Sequence, residues 1–423
     1  MTTLDDLDAP LAITMWDSSW IRRRYRGGGF EDWDRALGEL RDRGYDAVRI
    51  DVFPHLIAAD PTGVVVERFK DVPNQFPQFY GFGMWGNPWT MYIEPRTALL
   101  GFLRKCREHC VKVVLSTWFK PTDDGRNEQI EGLEGFVRVW DETLTFIDAH
   151  GLLDTVVALD VLNEYPSGHV FTWLHRTVAT MAYPAGADGG YNTRQQEFLW
   201  QFLMDAIALL RADWPSLSIS SSFTFESFDR YWERRDLRGL DFLDVHIWLN
   251  YFPGFAALTD YARTIERHGN PHELFQIERG GNAYAEQARL IPQDYHYDRT
   301  YAAVLAAWRG RTDEWAAEFE DAIDRVVRAA RPHDLHVGQT EGWGMVNWLD
   351  HPLLDWQVHR ETAEVATAIA ARRGFTFNCS ANFCHPHFLG FWEDVPWHRG
   401  VTDVIRSARP RLDLDEGNVH EAS

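Results

Sequence analysis

The chain has 423 residues, 45% of them hydrophobic and 25% charged, with 42 basic residues against 63 acidic ones and a formal net charge of −21. Such a composition is ordinary for a soluble globular protein. The charge argues against partners with phosphate or anionic lipid surfaces, so neither nucleic acid nor membrane is an expected partner. The opening MTTLDDLDAPLAITMW carries acidic residues and no long apolar run, so neither a secretory signal nor an anchor is expected there. No other stretch approaches the ~18 apolar residues of a spanning helix. Four cysteines in this length do not suggest a disulfide framework, and a cytoplasmic location is expected.

In chain order, strand-like apolar runs alternate with helical patterns. The first strand is LAITMWD (11–17), and a helix over 30–44 stops at Gly44. DAVRIDVF (46–53) is the second strand. A loop rich in Pro, Gly, Trp and Tyr leads to a helix over 96–110. VKVVLSTWF (111–119) is the third strand, followed by a helix over 133–151. TVVALDVLNE (155–164) is the fourth, followed by a helix over 195–215. LSISSSFTF (217–225) and LDFLDVHIWLN (240–250) are the fifth and sixth. After an insertion, 300–331 is helical and DLHVGQTEGWG (334–344) is the seventh. A helix over 355–374, the eighth strand FTFNCSANFCH (375–385) and a helix over 398–410 complete the pattern. ELFQIERGG (273–281) is also strand-like and is assigned to the loop after strand six.

Eight strands, each followed by a crossover, imply a parallel sheet buried on both faces. Eight is also the number that closes a barrel. The expected fold is one (β/α)8 TIM barrel over residues 1–411 with long loops, followed by a frayed acidic tail over 412–423.

In such barrels the chemistry sits at the carboxyl ends of the strands. Strand one ends in Asp17, strand two carries Arg49 and Asp51, and strand four ends in Asn163-Glu164. Strand six carries His246, strand seven ends in Glu341, and Trp392 follows strand eight. Two glutamates at strand ends can flank one glycosidic bond, one protonating the leaving oxygen and the other attacking the anomeric carbon. The 19 tryptophans serve either as core filler or as flat faces for sugar rings.

The order Arg, Asn-Glu, His, Glu and Trp along these strands resembles the clan A glycoside hydrolases, with glycoside hydrolase family 5, the cellulase family, as the nearest large relative. LNEYP and GQTEGWG are the most specific pieces, and the likeness runs from about Leu11 to Trp392. The resemblance implies Glu164 as acid/base and Glu341 as nucleophile. It implies Asn163 on the sugar 2-hydroxyl, Arg49 beneath the nucleophile, His246 beside the acid/base or substrate, and Trp392 under the reacting sugar. Asp17, Trp118, Trp248, His385 and His387 are further candidate sugar contacts. The family's His-x-Tyr on strand six is here His246-Ile247-Trp248, so either Tyr251 replaces the tyrosine from the loop or the contact is absent. Strand three ends STWFKP, where many relatives carry a polar residue or His.

Bland alternatives stand beside these roles. Either glutamate can be a strand-end carboxylate, with Glu278 a rival nucleophile. Arg49 can be a structural ion-pair partner, His246 a satisfied core histidine and Trp392 loop packing. Cys379, Cys384, His385 and His387 form a cluster too compact for a zinc site, and RYRGGGF (24–30) lacks the Lys and context of a phosphate loop. No metal or cofactor is expected. The expected activity is that of a retaining β-glycosidase working from the chain end on short neutral β-linked sugars, with aromatic insertions over 74–92 and after strand six walling the cleft. The alternatives are an endo-acting β-glucanase or β-mannanase and a non-catalytic sugar-binding barrel.

Overall fold

The computed structural model describes residues 3–410 except 72–83, 88–89, 121, 123, 167–170, 182–189, 260–296, 347 and 349–351. Eight barrel strands run in chain order: β1 (Leu11–Asp17), β2 (Ala47–Asp51), β3 (Lys112–Ser116), β4 (Val156–Asp160), β5 (Ser218–Ser220 and Ser222–Thr224), β6 (Phe242–Trp248), β7 (His336–Gln339 and Gly342–Trp343) and β8 (Phe377–Cys379). Each pairs in parallel with the next, and β8 returns to β1 with Leu11 opposite Phe377. The expected (β/α)8 barrel is the observed fold. β5 breaks at Ser221, so that its first half pairs with β4 and its second with β6. Every residue of β1 and β6 is buried, as a sheet covered by helices on the outside and by side chains within requires.

The helices arise where the sequence places them. Asp32 caps the helix Trp33–Asp42 by accepting from the amides of Asp34 and Arg35. Asn192 and Gln195 form a capping box on Thr193–Asp213. Pro95–Glu108, Gly132–Asp148, Gln357–Arg372 and Val395–Arg406 complete the long outer layer. The run over 300–331 is two helices, Tyr297–Gly310 and Thr312–Ala330, divided at Arg311. The β5–β6 crossover is short and consists of helical turns over Phe225–Trp232. Residues 273–281 and the 412–423 tail lie outside the described residues.

The barrel interior is divided along its axis. At the amino ends of the strands, Leu11, Ile13, Ala47, Val114, Phe242 and Phe377 make a small apolar plug that Leu4 joins. Phe242 and Phe377 meet edge to face at 5.7 Å. At the carboxyl ends the interior is polar. Much of the tryptophan content is core: the indole N–H groups of Trp16, Trp20, Trp33 and Trp140 donate to main-chain carbonyls of Cys384, Asp51, Trp20 and Val161. These bonds anchor loops to the strand ends that carry the site.

Gly338 shows how close β7 and β8 come. It pairs with Phe377, and a Cβ there would lie 2.4 Å from the Phe377 carbonyl oxygen. Gly338→Ala is expected to cost ~2–3 kcal/mol, because backbone must move to admit the methyl. Urea unfolding of the variant measures this, and an unchanged midpoint would contradict the close approach.

Candidate active site

Four of the seven non-glycine residues with left-handed backbone among those described sit just where barrel strands end. Asp17 (φ 41°) closes β1, Phe53 (φ 54°) follows β2, Phe119 (φ 47°) follows β3 and Glu164 (φ 53°) follows β4. Such conformations cost about 1–3 kcal/mol each and persist where the surroundings over-determine them, typically at functional sites. At Glu164 the surroundings are visible. Asn163 N–H donates to Thr117 O, Glu164 N–H to Ser222 Oγ at 2.9 Å, and Tyr165 N–H to Ser222 O. The turn carrying the glutamate is thereby tied to strands on both sides.

Arg49 projects from β2 into the centre of the barrel and is fully buried. One terminal nitrogen donates to Glu341 Oε1 at 2.6 Å. The other reaches Ser116 Oγ at 2.8 Å, Asp160 Oδ2 at 3.2 Å and the Asn163 amide oxygen. Asp160 also accepts from Ser116 and Ser222. Burial alone would lower the guanidinium's pKa, but Glu341 and Asp160 raise it further above its ordinary value. Asn163 is held through its oxygen, and its Nδ2 has no protein partner among the described residues.

Glu341 follows the first segment of β7 and is buried. Its second oxygen accepts from Asn382 Nδ2 at 3.3 Å, and Asn382 Oδ1 in turn accepts from Gly342 N–H. Burial pushes the Glu341 carboxyl up to about 7 despite the pull of His246 and Arg49, and the charge of Glu164 adds to the rise. Glu164 keeps 17% of its side chain exposed, and its Oε1 accepts from His246 Nδ1 at 3.0 Å. One oxygen of Glu164, one ring nitrogen of His246 and one oxygen of Glu341 lie within 4.8 Å of one another. The two glutamates face each other across this gap.

His246 is wholly buried, with Nε2 3.2 Å from Thr340 Oγ1 and 3.5 Å from Asp244 Oδ1. Burial would depress its pKa, but Glu341, Asp244 and Glu164 outweigh that and raise it to about 10. The ring is therefore an imidazolium at neutral pH. Glu341 Oε1 is already held by Arg49 and His246 Nδ1 faces Glu164 Oε1, so the trio is arranged as a set of charge pairs.

A second charged group lies at the β1–β3 ends. Lys120 Nζ is 3.0 Å from Asp17 Oδ2, 3.2 Å from Ser18 Oγ and 3.8 Å from Asp51 Oδ2. Burial works against the Asp17 carboxylate, yet Lys120 and Ser18 hold it below its ordinary range. Burial raises Asp51 to about 6 against the pull of Lys120, with Asp17 adding to the rise. Trp118 is buried beside this group, its main-chain N–H 3.5 Å from Asp51 Oδ2.

The remaining candidates fall in different places. His385 and His387 follow β8 and are kept neutral by burial, His385 with a pKa pushed down to about 3. His387 Nε2 pairs with Trp85 O at 2.9 Å. Trp248 is buried at the end of β6, opposite Trp343. Tyr251 is 46% exposed, and the nearby charges of Glu164, Glu226 and Glu341 add to the desolvation that raises its phenol pKa. Trp392 is a correction. Its N–H donates to Glu39 at 2.8 Å and Arg43 covers its face at 4.2 Å, both partners belonging to the first outer helix or its end. It packs in the helical layer and does not join Glu164 and Glu341. Glu278 lies outside the described residues. Cys379 and Cys384 contribute to no metal-like cluster among those residues, and Cys384 Sγ accepts from Tyr45 OH.

Sequence reasoning missed Asn382, Asp160, Asp244 and Lys120. Asn382 lay within a segment already singled out for its Cys and His. Lys120 had only the unusual STWFKP ending as a signal.

A barrel whose strand ends bring two glutamates, an arginine and a histidine together at one face is the arrangement that the resemblance to clan A glycoside hydrolases implies. The chain belongs to the cellulase-like family, whose model, described as sugar-binding cellulase-like, matches residues 13–406. It is similar to the crystal structure of a candidate glycoside hydrolase from Parabacteroides distasonis ATCC 8503, with 29% identity, a TM-score of 0.75 and 97% of each chain covered. An endo-β-1,4-mannanase from Thermotoga petrophila has 10% identity and a TM-score of 0.48, covering 96% of this chain and 79% of its own. The cellulose synthase subunit Z of Clostridioides difficile has 11% identity and a TM-score of 0.49, covering 93% and 99%. No curated protein matches the chain. No helix among the described residues is long and apolar enough to cross a membrane.

His246 provides a pH test. Its folded pKa of about 10 lies above the ordinary 6.5, so the stability its charge contributes is fully present below pH 6.5 and lost as pH rises through about 10. His246→Gln is expected to cost on the order of 3 kcal/mol at pH 6, where Glu164, Asp244 and Glu341 lose their cation. The difference from wild type should shrink by pH 10. A difference that stays constant across the range would mean the ring is neutral.

Proposed function

We propose that this protein is a retaining β-glycoside hydrolase with Glu341 as nucleophile and Glu164 as acid/base, built as a single barrel unit through about residue 411. The observation that carries the reading is the pair of carboxylates facing each other with oxygens within 4.8 Å. Retaining enzymes hold their carboxyl groups about 5–5.5 Å apart, and inverting ones about 6.5–9.5 Å to admit a water. The spacing supports direct attack.

In this reading Glu341, with Arg49 on one oxygen and Asn382 on the other, attacks the anomeric carbon as Glu164 passes its proton to the departing oxygen. A glycosyl–Glu341 ester forms. Glu164, now a carboxylate, takes a proton from water, which attacks the same carbon and releases the sugar. His246 fixes the Glu164 rotamer through the 3.0 Å contact, and the partial exposure of Glu164 gives it proton exchange with solvent. Asn163 turns its unpartnered Nδ2 to the 2-hydroxyl, and Tyr251 approaches in place of the missing strand-six tyrosine.

Release of p-nitrophenol from a panel of aryl β-glycosides tests the reading. Glu341→Gln should lower turnover by ~10⁴-fold or more. Glu164→Gln should lose less on nitrophenyl substrates than on alkyl ones, because a good leaving group needs little protonation. Proton NMR of the first-formed sugar should show the β anomer, and an α product would overturn the assignment of Glu341. The family description as sugar-binding favours a second reading, a non-catalytic barrel, which predicts glycoside binding without release.

We assign exo action on short, neutral β-linked sugars, in a cytoplasmic setting that the three buried free cysteines suit. The aromatic insertions behind the exo reading fall largely outside the described residues. Trp85 within the first is buried against Phe383 at 5.5 Å, which supports a wall on the β8 side. Product lengths followed over time on soluble β-glucan and β-mannan decide between the modes. Steady release of mono- or disaccharide is expected, and an early spread of mid-length fragments would show endo action.

A further inference from the structure

We infer that Asp17 and Lys120 form a hydroxyl-recognition subsite that takes two neighbouring hydroxyls of a neutral sugar ring on the side of that ring away from the leaving group. The inference rests on the reading above for the ring's position at Glu341.

Three consecutive strand ends converge on one ammonium. Asp17 closes β1, Asp51 closes β2, and Lys120 comes directly after Phe119 beyond β3, with Asp17 and Phe119 both in left-handed backbone. The side chains of Asp17 and Asp51 are 1% exposed and that of Lys120 is 12%. A purely structural bridge would satisfy its own atoms. Here two carboxylates share one ammonium, and Asp17 Oδ1 is buried with no protein partner among the described residues. A buried acceptor left unmet is costly, and a ligand O–H would satisfy it. Lys120 has three N–H donors. Two lie within hydrogen-bond reach of Asp17 and Ser18, whereas Asp51 at 3.8 Å is beyond it. One ionic acceptor and one ionic donor are thus left side by side. Each hydroxyl of a vicinal pair can both give and take a hydrogen bond, so the pair matches that arrangement.

The position also fits. Asp17 is near enough to Arg49 and Glu341 to act on the charge of both. Glu164 and its partner His246 come from β4 and β6, across the barrel from β1. A leaving group must lie at the proton donor, so the ring held at Glu341 extends toward β1–β3. The site prefers a neutral ring. The Asp17 carboxylate at the contact point disfavours a sugar acid, and Lys120 beside it disfavours an amino sugar.

The test is binding to the full chain carrying Glu341→Gln, by calorimetry. The probes are methyl β-glucoside, β-mannoside and β-galactoside, their 2-, 3-, 4- and 6-deoxy analogues, methyl β-glucuronide and methyl β-glucosaminide. Two adjacent deoxy positions other than C2 should each weaken binding ~10- to 100-fold. Asp17→Asn and Lys120→Met, added singly, should weaken the parent glycoside comparably and lose nothing further on those analogues, while the 2-deoxy loss persists. Melting temperature checks each fold, and if Asp17→Asn fails to fold, Lys120→Met alone decides. The inference is overturned if the variants discriminate the deoxy sugars as their background does, if the glucuronide or glucosaminide binds best, or if no methyl glycoside binds. Wild-type turnover of the nitrophenyl glycosides is measured separately. Binding with the expected pattern but no turnover would sink the catalytic reading and leave the subsite standing.

Discussion

The Arg49 guanidinium is the constraint around which the upper half of the barrel is organised. It lies at the barrel centre, wholly buried, and touches side chains from β3, β4 and β7 at once. A cation so placed requires carboxylates, and a carboxylate so buried requires a cation. Removing either leaves an uncompensated charge in a low-dielectric interior. The network is therefore a poor source of stability relative to an apolar core, and its persistence points to chemistry. Asp160 makes this plain. It accepts from Arg49, Ser116 and Ser222, and Ser222 Oγ also holds the main chain of Glu164. The orientation of one catalytic candidate thus depends on the counter-ion of the other.

Stability is supplied elsewhere. The plug of Leu11, Ile13, Phe242 and Phe377 fills the amino end of the barrel with apolar contact, and helices cover its outside. The left-handed residues Asp17, Phe53, Phe119 and Glu164 lie at the opposite end. The same division explains the tryptophans. Those whose N–H binds a loop carbonyl are structural anchors, and they fix the loops that the strained residues begin.

The sequence made the eight strands legible because a strand buried on both faces is a short, nearly continuous apolar run, set off by helices with a longer period. Glu164 and Glu341 were legible because a polar residue ending such a run has few places to go except the carboxyl face. What the pattern could not carry was pairing across the barrel. Asn382 sits in a segment that drew notice for its cysteines and histidines, but its partner is Glu341, 41 residues earlier. Lys120 reads as an ordinary surface lysine until the fold brings Asp17 to it, 103 residues away. Trp392 erred for the converse reason. It lies well beyond β8, and loop direction is not written in local periodicity. Arg43 and Glu39 on the outer helix claim it.

The two glutamates are chemically identical, so their proposed division of labour has to come from their surroundings. Glu341 is sealed, with a guanidinium on one oxygen and an amide on the other. Those donors orient the carboxylate and oppose the burial that pushes it up to about 7, and the sealed position keeps it from exchanging protons readily with water. Among the described residues the Glu164 side chain has one fixed contact, to His246, and it reaches solvent. A group that must give up a proton and later regain one benefits from that access. His246 stands between them with its own counter-ion, Asp244, and shares its charge with both glutamates. In the proposed reaction the negative charge of Glu341 disappears when it forms an ester, and of the two glutamates only Glu164 then shares the imidazolium with Asp244. The attraction on Glu164 then rises just as that residue has given up its proton and needs to be stabilised as a carboxylate. Under that proposal, one buried cation between two carboxylates couples the ionisation of the second to the covalent state of the first.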